Sequence, residues 1–166
     1  TCIACNQACL DHTFSMKTTS CLVNPRACHE TMLSYDPTTA PKSVAVIGAG
    51  PAGMAYATVA AERGHKVTLF DAAEEIGGQF NLAKRVPGKE EFHETIRYYN
   101  TMLTKLDVDL RLGARVSAQD LESQGFDHIV VATGITPRTP QIKGIDHPMV
   151  VGYIDAIMGR KPIGKK

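Results

Sequence analysis

Four cysteines stand near the start of the chain, Cys2, Cys5, Cys9 and Cys21, in C-x2-C-x3-C-x11-C spacing. Their thiolates are soft ligands that suit zinc or an iron–sulfur cluster. Four-cysteine zinc sites usually come as two C-x2-C pairs. Three crowded thiolates and one remote thiolate lie closer to iron–sulfur ligation, although this spacing matches neither ferredoxin type. Spacing alone ranks a cluster above zinc and leaves both open, together with a disulfide or unligated thiols. Cys28, within NPRACHE, lies outside the set and reads as a small buried residue beside the site, not a fifth ligand. His12 and His29 read as surface or hydrogen-bonding groups.

A second kind of chemistry is written in GAGPAG, from Gly48 to Gly53. The motif follows an apolar run and opens a helix-forming one, the context in which G-x-G-x-x-G marks a dinucleotide site. Gly48 allows the tight turn, Gly50 lets backbone approach a pyrophosphate, and Gly53 lets helix and strand pack closely. Pro51 and Ala52 fall in the first helical turn, whose N–H groups and partial positive charge suit phosphates. Asp71 ends the next apolar run, where a carboxylate can accept hydrogen bonds from ribose hydroxyls. Ala72 and Ala73 follow it with no arginine, which argues against a 2′-phosphate and so against NADP at this site. The fingerprint does not separate NAD from FAD.

The elements that must position these residues follow from periodicity. SVAVIG and KVTLFD read as buried strands flanking the helix PAGMAYATVAAERGH, with Gly64 as its stop. AAEEIGGQFNLAKRVPG reads as a long loop. A helix follows from about Lys89 to Leu106, with Phe92, Ile96, Tyr99 and Leu103 on its buried face. VDLRLG is a third strand, Ser117 caps a short helix through Leu121, and FDHIVVATG is another buried strand. A last short helix covers Tyr153 to Met158. The expected fold is α/β: a Rossmann-like, doubly wound parallel sheet over residues 42–166, preceded by a small irregular cysteine-rich segment over residues 1–41.

Composition narrows the function classes. The 166 residues are 43% hydrophobic and 21% charged with net charge +1, which suits a packed soluble domain and offers no basic stripe for nucleic acid. Ser43 to Ala61 is an uncharged run long enough to resemble a membrane span, but Gly48, Gly50, Pro51 and Gly53 interrupt it. No membrane partner is expected. With no signal-peptide pattern the expected location is cytoplasmic, where clustered cysteines more often serve metal or redox chemistry than disulfides.

CIACNQACLD, SCLVNPRACHE, the glycine fingerprint, EIGGQFNLAKRVPGKEEF and ATGITPRTP together resemble the trimethylamine dehydrogenase-like branch of the Old Yellow Enzyme superfamily, and within it the NADPH-dependent 2,4-dienoyl-CoA reductases. The resemblance implies a 4Fe-4S cluster on Cys2, Cys5, Cys9 and Cys21. It also implies FAD held by Gly48, Gly50, Pro51, Ala52, Gly53, Asp71, Gly78, Gln79, Lys89, Val116, Ala132, Thr133 and Gly134. Lys89 would place a cation near the pyrophosphate, and Val116 would set its backbone against the adenine.

Members of that branch are longer, with an FMN-binding barrel before the cluster and an NADPH domain within the FAD domain. These would be the natural partners of this stretch. Electrons would run from NADPH through FAD and the cluster to FMN, which reduces a 2,4-dienoyl-CoA in unsaturated fatty acid oxidation. No catalytic bond-making residue is expected within these 166 residues. The same region in an amine dehydrogenase or enoate reductase is the nearest alternative. A zinc-stabilised nucleotide-binding module without redox activity is the alternative from another class.

Overall fold

A computed structural model describes residues 2–164. The cysteine-bearing segment carries one short helix, α1 (Ala8–Phe14), where irregular chain was expected. Its sequence holds no proline or glycine, and the Thr13 and Thr19 hydroxyls both donate to the Cys9 carbonyl. A helix this short takes its stability from such local ties.

β1 (Ser43–Ile47) is followed by α2 (Pro51–Glu62) and β2 (Lys66–Phe70). The long loop expected next contains a single turn, α3 (Phe80–Ala83), before α4 (Phe92–Lys105). β3 (Asp109–Arg111), α5 (Ala118–Gln124), β4 (His128–Val131) and α6 (Tyr153–Ile157) complete the order. Ser117 caps α5 as expected, in a reciprocal capping box with Asp120. Among the described residues no helix is long and apolar enough to cross a membrane.

The four strands form a parallel sheet in the order β3-β2-β1-β4. Alternation along β1 divides the core. Val44 and Val46 face α2 and α4, packing with Met54, Leu69, Tyr99 and Leu103. Ala45 faces the other side, with Phe70 and Leu121 of α5. Helices on both faces make the sheet doubly wound.

Two expectations about burial change. On α4 the buried residues are Phe92, Thr95, Tyr99 and Leu103, and Ile96 is half-buried. The helix is thus rotated so that a hydroxyl joins its inner face. β4 is not a buried strand: Val130 packs on the core, but Ile129 is 45% and Val131 74% exposed. β4 lies at the sheet edge, and the described residues offer those side chains no cover.

A clamp fixes the starts of β1 and β4. The Ser43 N–H and hydroxyl both donate to Asp127 Oδ2, at 2.7 and 2.8 Å. The Asp127 N–H donates back to the Ser43 hydroxyl at 3.0 Å. These donors hold the Asp127 carboxyl below its usual range. A carboxyl lowered on folding stabilises fully above its unfolded value, about 3.9, and loses that contribution as pH falls through the folded value. Wild type is therefore expected to be more stable than Asp127→Asn at neutral pH, with the gap closing below about pH 4. Thermal unfolding midpoints between pH 7 and 3 check this, and a gap that does not change with pH contradicts it.

Candidate functional site

Ligands of open parallel sheets bind beyond the carboxyl ends of the strands. Here those ends surround a cleft of about 390 Å³ lined by Gly48, Asp71, Arg115, Val116, Thr133 and Gly134 among others. Three close approaches of bare backbone build its floor. A Cβ on Gly53 would overlap the Gly48 carbonyl oxygen, and one on Gly48, which sits at φ +110, would overlap the Ala132 carbonyl. A Cβ on Gly78 would stand 3.0 Å from Gly50 Cα, while Gly77 N–H donates to the Ala49 carbonyl at 2.8 Å. The Gly77-Gly78 turn is thereby stacked on the fingerprint turn.

Gly50 differs from its neighbours. Its backbone is extended at φ −76, and a Cβ there would meet nothing within 4 Å. The chain itself does not need glycine at this position, and the open space lies before the first turn of α2. That turn has Pro51 at its start, no side-chain cap and no acidic residue. A helix N-terminus in that condition suits an anion, so the residues present fit a pyrophosphate.

Asp71 reaches the cleft, and its carboxylate also braces the walls. Oδ2 accepts from Ala49 N–H at 2.6 Å and Oδ1 from Ala73 N–H at 2.8 Å. Each oxygen keeps a further lone pair for a ribose hydroxyl. Ala132 continues the β1–β4 ladder by donating to Ile47 O at 2.8 Å, which sets Thr133 and Gly134 at the cleft mouth. Val116 lines the cleft while packing on the core beside Phe70. Exposed Ala52 lies in the first turn of α2. Gln79 is the exposed residue before α3, and Lys89 holds its ammonium 5.1 Å from the Phe92 ring centroid. Neither Gln79 nor Lys89 is among the residues lining the cleft.

Arg115 is the cleft residue that the sequence reading missed. No arginine follows Asp71, but one arrives from the loop after β3, which the Ala114 N–H ties to the Asp71 carbonyl at 2.8 Å. Local motif spacing carries no signal for such a residue. It becomes visible only once β2 and β3 are known to be neighbours.

Cys2 and Cys21 line a second cavity, of about 440 Å³, whose opposite wall is α4 through Glu94, Thr95, Arg97 and Tyr99. Ala4 N–H donates to Cys2 Sγ at 3.3 Å, and Ala4 and Asn6 take left-handed backbone at φ +49 and +52. All four thiols of the set are free, with Cys5 and Cys9 half-buried. Among the described residues no three Cys, His, Asp or Glu side chains stand together at metal-ligating distance. The donor chemistry, four free thiols with a backbone N–H already on one sulfur, fits a thiolate-bound centre. Burial holds the Tyr99 phenol above its ordinary range, so it stays protonated at the edge of this cavity. Cys28 departs from expectation: it is exposed, at φ +63, in the turn closed by its N–H on Glu30 Oε1.

Comparison with known proteins places these features. Residues 42–162 match the family model described as pyridine nucleotide-disulphide oxidoreductase. A metal reductase of Desulforamulus reducens is 40% identical over 99% of this chain and 25% of its own length. Among solved structures, a 2-naphthoyl-CoA reductase in complex with 2-naphthoyl-CoA is 38% identical, with a TM-score of 0.91 over 98% of this chain and 25% of that one. The 6-hydroxypseudooxynicotine amine oxidase of Pseudomonas geniculata is 31% identical, with a TM-score of 0.85 over 97% of this chain and 26% of that one. The chain thus spans about a quarter of the length of the relatives it matches. With its fingerprint at the mouth of a parallel sheet and the family match running across that sheet, the chain belongs to the pyridine nucleotide-disulphide oxidoreductase family.

Proposed function

We propose that this chain is the electron-transfer portion of a larger flavin-dependent reductase, holding FAD in the strand-end cleft and a 4Fe-4S cluster on Cys2, Cys5, Cys9 and Cys21. The observation that carries the reading is Gly50, open in front of an uncapped helix start, with Asp71 on the adjoining wall. A flavin exchanges electrons in pairs and a cluster singly, so together they divide a two-electron donation into single steps. The first turn of α2 would orient the pyrophosphate, and Asp71 the ribose. Val116 and the Thr133–Gly134 backbone would close the cleft against water. Asp71 would also disfavour a 2′-phosphate, which leaves NADPH, like FMN, to sites outside these residues.

For the substrate of the whole protein we favour an unsaturated acyl-CoA. The motif resemblance to 2,4-dienoyl-CoA reductases supports this, as does the likeness to a reductase whose structure holds an aryl-CoA. Amine oxidation is the second reading, favoured by the likeness to the Pseudomonas amine oxidase. Turnover of a dienoyl-CoA against a secondary amine by the whole protein separates the two.

Two experiments test the cofactor sites. Gly50→Ala is expected to keep the wild-type unfolding midpoint while weakening ADP and FAD binding roughly tenfold or more, about 1.4 kcal/mol. Gly53→Ala is expected to cost about 3 kcal/mol of stability instead, through its clash with Gly48. Calorimetric titration and urea unfolding read the two effects, and unchanged ADP affinity in Gly50→Ala contradicts the proposed phosphate position. Anaerobically purified protein is expected to contain about four irons and four sulfides per chain. Cys21→Ser should lose them and Cys28→Ser keep them. Stoichiometric zinc without iron would sink the redox reading.

A further inference from the structure

Five threonines lie in helices, and four of them spend their hydroxyls on the carbonyl four residues back. Thr13 donates to Cys9, Thr58 to Met54, Thr101 to Arg97 and Thr104 to Asn100. Thr95 does not. It is 6% exposed, and its Oγ1 has no hydrogen-bond partner. Buried hydroxyls are rarely left without one. Thr95 lies on the wall of α4 that faces Cys2 and Cys21 across the 440 Å³ cavity. The charged groups on that wall are already committed: the Arg97 guanidinium donates twice to Glu94 Oε2, at 2.8 and 2.6 Å. Thr95 is therefore an unspent neutral donor on a wall that opposes two of the four thiols.

We infer that the Thr95 hydroxyl donates a hydrogen bond to a sulfur of the cluster proposed on Cys2, Cys5, Cys9 and Cys21, and so raises its reduction potential. The inference rests on the cluster reading above. Reduction adds one negative charge to the cluster, and a donor on sulfur stabilises the more negative state. No covalent bond changes. The hydroxyl keeps its proton in both oxidation states and alters only how readily the centre accepts an electron.

The test compares anaerobically purified wild type with Thr95→Val, Thr95→Ala and Thr95→Ser, reading iron and sulfide content and the midpoint from a redox titration followed by electron paramagnetic resonance. Thr95→Val and Thr95→Ala are expected to hold wild-type iron, with the one-electron equilibrium shifted about tenfold, or about 59 mV, to more negative potential. Thr95→Ser is expected to keep the wild-type midpoint. Either hydroxyl-free variant serves if the other fails to fold. A wild-type midpoint in a cluster-loaded Thr95→Val or Thr95→Ala, as a buried water on Thr95 would give, overturns the inference and leaves the cluster reading standing. Wild-type protein without iron and sulfide overturns both.

Discussion

The structure depends on a close approach of backbone that three missing Cβ atoms permit. Gly53 lies against the Gly48 carbonyl, Gly48 against the end of β4, and Gly78 against Gly50. Each contact joins a different pair of segments: helix to strand turn, strand turn to neighbouring strand end, and later loop to fingerprint. Their sum brings the end of β4 and the Gly77-Gly78 turn onto the fingerprint turn, with space left open beside Gly50. The cleft is what remains when backbones pack where side chains normally would. Asp71 completes it by bonding the N–H groups of Ala49 and Ala73 from one carboxylate.

α4 joins this cleft to the cysteine-bearing segment. Its inner residues Tyr99 and Leu103 pack in the core with Met54 of α2, the helix whose first turn faces the cleft. Its flank, with Glu94, Thr95 and Arg97, is a wall of the cavity that Cys2 and Cys21 line. A single rigid helix thus has one side on the support of the nucleotide cleft and another on the thiols. That arrangement suits a chain whose proposed task is to carry electrons between two centres.

Much of this was legible in the sequence where the causes are local. The β1–α2–β2 unit and the Ser117 cap are dictated by neighbours a few residues apart, and the structure places them as read. Burial on β4 was not legible. The run HIVV reads the same on an inner or an edge strand, and only the order β3-β2-β1-β4 decides. The inner face of α4 was misread by one position, because apolar periodicity counted Ile96 and passed over Thr95, which the structure buries. Arg115 was invisible for a third reason: it enters the cleft through strand pairing, not through spacing from Asp71. Cys28 was expected inside for its residue type, but its left-handed turn holds it at the surface.

The open edge at β4 has a consequence for how the molecule behaves in company. Its outer backbone groups have no ladder partner among the described residues, and Ile129 and Val131 stand bare beside them. Sheets ordinarily guard such edges with charge, proline or a covering element, because an unguarded edge is a template for any extended chain it meets. Here the guard is slight: His128 is the one strand residue there able to carry charge. Concentration therefore becomes a structural variable for this chain, since crowding supplies a cover for this surface that dilution withholds.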